Sequence, residues 1–127
     1  MLIQFGHSRD YDYEKELYEP IKKSHLLEEH EIILPHDNNS SWVNSKETLK
    51  NVDIFFAEVS SPTIWLWIEL WFANIYWTKI ICFYKKGTKI SWSLKYVCNN
   101  FFEYTNSEDM IKQIKGKIKE HFNVTKK

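Results

Sequence analysis

Apolar runs alternate with amphipathic stretches along this chain. Short apolar runs predict five strands, over residues 2–5, 31–34, 52–59, 79–84 and 101–104. Helical spacing of apolar residues predicts helices over residues 13–27, 46–51, 62–76, 91–98 and 108–122. The third strand is apolar without alternation, as expected for a strand that is covered on both faces. Strands that alternate with helices favour a parallel sheet with right-handed crossovers.

This order of elements predicts an α/β protein with a flavodoxin-like three-layer fold. Five parallel strands suit the sheet order 2-1-3-4-5. The length of 127 residues fits one domain over residues 1–127. Ligands of such sheets lie beyond the carboxyl ends of the strands, so the residues that follow the strands carry the candidate site. They are residues 6–10, 36–39, 58–63 and 85–93.

Local signals refine two of the predicted helices. In the first helix, Leu17, Tyr18 and Ile21 should face the core, and Pro20 should kink the helix or shift its start. Either Asn106 or Ser107 should cap the last helix.

Charge and composition narrow the classes of function. Lys plus Arg equals Asp plus Glu at 17 each, which argues against a surface for a nucleic-acid polymer. No apolar run reaches the ~18 uncharged residues that a membrane span needs. Cys82 and Cys98 lack the spacing of metal ligands, and we expect two buried free thiols. Reduced thiols and the absence of a signal-peptide pattern predict a cytoplasmic protein.

Glu69 is the first residue that suggests chemistry. It lies in the third segment with helical spacing, between Ile68 and Leu70. A carboxylate in apolar surroundings near the ligand-binding edge of a sheet can attack a sugar carbon as a nucleophile. The alternative is a surface or salt-bridged helical Glu.

The segment from Asp53 to Ala73 resembles a pattern of the nucleoside 2-deoxyribosyltransferase superfamily. That pattern reads Asp, three apolar residues, Ala-Glu-Val, Ser or Thr, one residue, and then Pro-Ser-x-Gly-x-Gly-x-Glu-Leu-Gly-x-Ala. The family's catalytic nucleophile is the Glu of Glu-Leu-Gly, which matches Glu69. The resemblance implies cleavage or transfer at the N-glycosidic bond of a nucleoside or its 5'-monophosphate, with no cofactor and no metal. Glu58, the Glu of Ala-Glu-Val, should line the site or support it.

The segment Gly6-His7-Ser8-Arg9 resembles the Gly-Ser-x-Arg loop of one branch, the 2'-deoxynucleoside 5'-monophosphate N-hydrolases. In that branch the loop's Arg helps to hold the 5'-phosphate, and Arg9 aligns with it. Arg9 is the only Arg of the chain, and a guanidinium can bind a phosphate in bidentate fashion. The resemblance therefore names Gly6, Ser8 and Arg9 as substrate-binding residues. A solvated loop Arg is the alternative for Arg9.

Two further substrate-binding candidates follow the second and fourth strands. Ser93 lies near the family's phosphate-contacting Ser, which reaches the site of the neighbouring subunit and implies a homo-oligomer, most simply a dimer. Ser91 competes for that alignment, and capping of the short helix is the alternative role for Ser93. His36 aligns with a family His near the substrate, although a lone loop His can also be merely solvated.

The chain departs from the family at an acidic position. The family carries an Asp upstream of the third strand that assists the leaving base or orients the sugar, and Ser45 stands there. Asp37, Glu47 and Asp53 are the possible substitutes, although Asp53 also suits a cap at the edge of its strand.

A second departure concerns glycine. The chain holds 6 Trp and only 3 Gly. Three Trp occupy the family's Gly positions, and three more stand at turn-like positions where Gly is expected: Trp65, Trp67 and Trp71, then Trp42, Trp77 and Trp92. We hypothesise that their codons are UGA, translated as Trp in this sequence but read as Gly in the source organism. If the indoles are genuine, they pack in the core or in a dimer interface, and a non-catalytic nucleotide-binding or interaction protein becomes the alternative function.

Overall fold

The five predicted strands form one sheet in the structure, a computed structural model that describes residues 1–8, 10–34 and 45–125. The strands are β1 (Leu2–Gly6), β2 (Glu31–Ile33), β3 (Ile54–Glu58), β4 (Lys79–Lys85) and β5 (Phe101–Tyr104). All neighbouring strands are parallel, and their order is β2-β1-β3-β4-β5. The predicted flavodoxin-like α/β fold and its strand order are therefore confirmed.

Helices connect the strands. They are a π-helical turn (Glu14–Tyr18), α1 (Glu19–Lys23), α2 (Leu26–Glu29), α3 (Ser45–Leu49), α4 (Ile64–Ile75), a 3-10 helix (Trp92–Tyr96) and α5 (Ser107–Thr125). Across the described ranges, none of these helices combines the length and the apolar character that crossing a membrane requires. At the start of α5, Asn106 Oδ1 accepts a hydrogen bond from the backbone N–H of Asp109 at 2.9 Å, so Asn106 is the cap.

The central strand β3 divides the core into two layers. Ile54 and Phe56 pack with α1 and α5 on one face of the sheet. Phe55 and Ala57 pack with α3, α4 and the 3-10 helix on the other face. Since successive strand residues point to opposite faces, an uninterrupted apolar run was the right signal for a strand covered on both sides. Both thiols, Cys82 and Cys98, are buried and free, as predicted.

The first predicted helix is divided in the structure. Pro20 lies in the first turn of α1, and the π-helical turn precedes it directly. A proline ring collides with the carbonyl four residues earlier and offers no N–H, so a wider turn before it avoids both problems. Leu17, Tyr18 and Ile21 are buried, as predicted.

The backbone at the end of α4 shows what kind of residue suits the position of Trp77, one of the six tryptophans. Trp77 has φ of 60°, in the left-handed region. Its N–H donates to Asn74 O at 3.2 Å, and the N–H of Thr78 donates to Ala73 O at 3.0 Å. This pair of bonds is a Schellman motif, whose left-handed residue is usually Gly. The side chain of Trp77 is almost fully exposed, so its indole gains little burial. This conformation is the one expected of a Gly, and the codon hypothesis itself stays a prediction.

Replacing Trp77 by Gly should stabilise the protein by about 1 kcal/mol, because Gly adopts the left-handed conformation without the cost that a Cβ imposes. The measurement is urea unfolding of the two proteins. The matched control is Trp65→Gly, which removes another exposed indole but inside α4. That change should destabilise the protein by about 1 kcal/mol, because Gly is a poor helix former. Two shifts of the same sign would contradict the prediction.

Candidate active site

The carboxyl ends of β1 and β3 lie side by side in the middle of the sheet. The chain leaves β1 toward β2 on one side, whereas β3 begins the other half, so this point is where the strand order reverses. Ligands of open α/β sheets bind in the crevice at such a point. Residues 6–8 lie at this edge, where β1 ends, and residues 58–60 lie beside them, where β3 ends.

Gly6 is required by packing at this edge. A Cβ on Gly6 would lie 2.5 Å from Cζ of Phe55 and 3.1 Å from Cδ1 of Leu66. A real side chain would therefore displace the Phe55 ring or the first turns of α4. The missing side chain lets α4 pack closely against the end of β1, which brings the second turn of α4 to the candidate site.

Glu69 lies in that second turn, about 9 Å along the helix axis from Thr63 at its start. Its neighbours Leu66 and Leu70 face the sheet and are fully buried. Glu69 itself is only 4% exposed. A carboxylate is rarely so buried unless it serves a paired or functional role. The structure thus buries Glu69 between two core leucines of α4, while its chemical role stays a prediction.

The loop after β1 is shaped by Ser8. Its Oγ accepts a hydrogen bond from the backbone N–H of Asp10 at 3.0 Å, and its carbonyl accepts one from the N–H of Tyr11 at 3.4 Å. Ser8 is 1% exposed, so its hydroxyl serves the turn in this structure. The predicted role of Ser8 in substrate binding stays a prediction. Arg9 and His36 lie outside the described residues.

An aromatic cluster surrounds His7 at the end of β1, and it was not predicted from the sequence. Its Nδ1 lies 3.1 Å from the carbonyl of Ser8, which can only accept, so Nδ1 carries a proton. In the neutral ring, Nε2 then accepts from the hydroxyl of Tyr18 at 2.8 Å. The ring of Tyr13 stacks on His7 with centroids 4.3 Å apart. The strand alternation that buries Ile3 and Phe5 extends to residue 7 and is the signal for this cluster.

Glu58 ends β3 on the face of the sheet opposite α4. It is 1% exposed, and its carboxylate accepts hydrogen bonds from the N–H of Ser60 at 2.6 Å, from the hydroxyl of Ser60 at 3.0 Å and from the hydroxyl of Tyr104. Burial raises the pKa of Glu58, although the bonds from Tyr104 and Ser60 and the charge of Lys85 oppose the rise. The three bonds engage both carboxylate oxygens, so this geometry favours support of the site, one of the two roles expected for Glu58.

Ser93 lies on the outer side of α4. Ser91 and Ser93 line a groove of about 700 Å³ whose other wall is formed by residues of α4: Ile64, Trp67, Ile68, Trp71 and Phe72. Glu69 does not line this groove. Ser91, not Ser93, caps the 3-10 helix, because its side chain accepts from the N–H of Ser93 at 3.3 Å. Within one chain the structure does not bring Ser93 and Glu69 into one groove.

Two of the three substitutes for the family's Asp can be located. Asp53 lies at the amino end of β3, where its Oδ2 accepts from the N–H of Leu2 at 2.8 Å. It caps the opposite edge of the sheet and cannot assist a leaving base. Glu47 is largely exposed on α3 and pairs with Lys50 at 3.7 Å. Asp37 lies outside the described residues, and Ser45 begins α3.

The tryptophans of α4 point mainly outward. Trp65 and Trp71 are 54% and 55% exposed, while Trp67 packs partly against the core. The space beside Gly6 is filled by Phe55 and Leu66, so it holds no indole. Trp92 is exposed as well, and Trp42 lies outside the described residues. Genuine indoles at positions 65 and 71 would therefore suit an interface and not the core.

The described residues include no group of three or more His, Cys, Asp and Glu side chains that could hold a metal ion.

The raised pKa of Glu58 predicts a pH dependence of stability. The folded protein holds this proton more tightly than the unfolded chain does. Glu58 therefore contributes stability below its usual pKa of 4.5 and loses that contribution as pH rises through the raised value. Glu58→Gln does not titrate, so the free energy of unfolding of the wild type relative to this variant should fall across that window. Urea unfolding between about pH 4 and pH 8 measures it. A difference that stays constant or widens with rising pH would contradict the raised pKa.

Comparisons with solved structures bear on the fold. No family model matches the chain, and no curated protein matches its sequence. The CMP N-glycosidase BcmB from Clostridium botulinum superimposes with a TM-score of 0.66 at 15% identity, over 91% of this chain and 99% of that one. A conserved protein from Enterococcus faecalis V583 gives 0.65 at 12% identity, over 92% and 98%. A 2-deoxyribosyltransferase from Bacillus psychrosaccharolyticus gives 0.58 at 20% identity, over 87% and 90%. The chain thus shares its fold with an N-glycosidase and a 2-deoxyribosyltransferase, in agreement with the fold that the sequence resemblance implied.

Proposed function

We propose that this protein cleaves or transfers the N-glycosidic bond of a nucleoside or nucleoside 5'-monophosphate, with Glu69 as the nucleophile. The observation that carries the proposal is a buried carboxylate in the second turn of α4, beside the point where the strand order reverses. The fold is shared with two proteins whose names describe reactions at this bond. The sequence pattern around Glu69 matches the family's nucleophile at the same position.

The proposed reaction proceeds with retention. The Glu69 carboxylate attacks C1' of the sugar, the bond from C1' to the base breaks, and the base leaves with the bonding electron pair and gains a proton. A water molecule or a second base then attacks C1' and frees Glu69. Apolar neighbours such as Leu66 and Leu70 keep bulk water from the carboxylate and so strengthen its interaction with positive charge on the sugar.

A 5'-phosphate is the substrate feature that the loops favour. Arg9 supplies a cation in the loop after β1. The first turn of α4, which starts beside the end of β3, offers unpaired N–H groups and the positive end of a 12-residue helix. The hydroxyl of Thr63 makes no capping bond to this turn. These features support a nucleoside monophosphate over a free nucleoside.

A homodimer completes the proposed site. The outer face of α4 exposes apolar side chains in a continuous row: Ile64, Trp65, Ile68, Trp71 and Ile75. Exposed apolar patches of this kind mark protein interfaces. Ser91 and Ser93 border the same groove, so a second copy packed on this face would receive them near its own α4.

The test of the function is release of free base. Each nucleoside, deoxynucleoside and 5'-monophosphate is incubated with the protein and the base is quantified by chromatography, with and without a second base as acceptor. Glu69→Gln should reduce the rate roughly 10⁴-fold, the scale expected for loss of a nucleophile. The matched control is Glu120→Gln on the exposed face of α5, which should keep wild-type activity. Full activity of Glu69→Gln would refute the mechanism, and binding without release of base from any substrate would favour a non-catalytic nucleotide-binding protein.

The shared site predicts complementation between two variants. Glu69→Ala alone should be inactive, and Ser93→Ala should lose about tenfold in kcat/KM, the value of one hydrogen bond to a charged group. A mixed dimer holds one site with an intact Glu69 from one chain and an intact Ser93 from the other. Co-expression should therefore restore about a quarter of wild-type activity, since half of the dimers are mixed and one site in each is intact. Mixed dimers, verified by mass spectrometry, without added activity would contradict a shared site.

A further inference from the structure

The carboxylate of Glu58 joins segments that are distant in the chain. Its Oε1 accepts from the N–H of Ser60, and its Oε2 accepts from the hydroxyls of Ser60 and Tyr104. The hydroxyl of Ser60 in turn accepts from the backbone N–H of Lys85 at 2.9 Å. Glu58 thus ties the start of the loop after β3 to the ends of β4 and β5.

Tyr104 and Tyr11 form the outer part of this network. Their hydroxyl oxygens are 3.0 Å apart. A tyrosine hydroxyl has one proton, and that of Tyr104 goes to the ionised Glu58, so Tyr11 is the donor to Tyr104. Burial raises the pKa of both tyrosines, and both remain protonated donors. Lys85 lies 5.2 Å from the Tyr11 ring centroid and pairs with Glu16 at 2.8 Å, which closes the network on the side of the first helix.

This network fixes the segment from which α4 starts. Only residues 61 and 62 separate Ser60 from Thr63, the residue that begins α4. One of the two is Pro62, whose ring restricts φ, so the link is short and stiff. The inner face of α4 packs through apolar contacts, which are not directional and allow a helix to slide or turn. The hydrogen bonds at Ser60 supply a directional restraint on the start of α4, and hence on the place of Glu69.

We propose that Tyr104 is a positioning residue for the reaction: through Glu58 and Ser60 its hydroxyl fixes the start of α4 and thereby the place of Glu69. The inference rests on the proposed function for its reaction and on the hydrogen-bond network for its mechanism. Tyr104 itself lies on the face of the sheet opposite α4 and makes no contact with a substrate bound by Glu69 in this account.

A purely structural role explains the network less well. Burial of a carboxylate is costly, and apolar side chains of similar size often stabilise a core as well or better. The network stands at the carboxyl edge of the sheet, where the site lies, and its bonds converge on Ser60, in the loop that leads into α4. A network that only stabilised the sheet would not require hydrogen bonds to Ser60, in the loop between β3 and α4.

The test is Tyr104→Phe, which removes one oxygen and keeps the aromatic ring. The centroid of this ring lies 5.8 Å from that of Phe83. A misplaced nucleophile should lower kcat about 10- to 100-fold, while KM changes much less because substrate binding uses other groups. Hydrogen exchange of the backbone amides over residues 60–69 should become faster. Glu58→Gln should act the same way, and the double variant should be no worse than the single ones, because both changes break one chain of interactions. Tyr96→Phe is the matched control, since Tyr96 is exposed at the end of the 3-10 helix and is not one of the residues of this network.

The outcomes separate this inference from the proposed function. If the wild type releases no base, the proposed function fails, and the exchange of residues 60–69 alone decides whether Tyr104 holds the start of α4. If the wild type is active and Tyr104→Phe keeps its kcat, the positioning role is refuted. It is also refuted if the activity falls only in proportion to the unfolded fraction, with unchanged exchange over residues 60–69. A lower kcat in a fully folded variant, with faster exchange in that segment, supports it.

Discussion

The close approach of Phe55 and Leu66 to Gly6 determines where the rest of the site can be. A single Cβ at Gly6 would stand 2.5 Å from the Phe55 ring, so the end of β1, the inner side of β3 and the first turns of α4 share one space. Because α4 packs there, its second turn reaches the crevice between the two halves of the sheet. The depth of Glu69 and its apolar surroundings follow from this contact. The chemistry proposed for the chain therefore depends on one residue without a side chain.

The two carboxylates near this edge have different environments because they lie on different faces of the sheet. Glu69 lies on the face of α4, beside Leu66 and Leu70 in that helix, and is 4% exposed. Glu58 points to the face of α1 and α5, where Ser60 and Tyr104 engage both of its oxygens. Strand alternation imposes this division, since residue 58 has the parity of Ile54 and Phe56. In the proposed mechanism Glu69 reacts with the substrate, while Glu58 holds the loop that leads into α4.

Much of this arrangement could be read from the sequence, because uninterrupted apolar runs and helical spacing report burial directly. The strand over Phe101–Tyr104 and the sheet order were predicted as they are found. The place of Asp53 at the amino end of β3 follows from its position directly before the apolar run of that strand. The π-helical turn before Pro20 could not be predicted, since the sequence shows that a proline disturbs a helix but not how the chain accommodates it. Strand alternation places His7 on a buried face but does not name Tyr13 and Tyr18 as its partners. The bond from Tyr104 to Glu58 joins residues far apart in the chain, and no local pattern announces such a partner.

The tryptophans of α4 show that the two faces of this helix have different roles. The inner face packs on the sheet, and the outer face forms a surface. The residues that hold α4 to the sheet are Leu66, Leu70 and Ala73, and of the three tryptophans of α4 only Trp67 packs partly against that core layer. Trp65 and Trp71 lie on the outer face, where either an indole or a bare backbone leaves the core unchanged. Trp77 takes a conformation that suits glycine better than tryptophan. The packing of α4 on the sheet therefore does not depend on the identity of residues 65 and 71. What changes is the outer surface of α4: with indoles it is a broad apolar face for a partner, and with glycines it lets a second chain or a ligand approach the helix backbone closely.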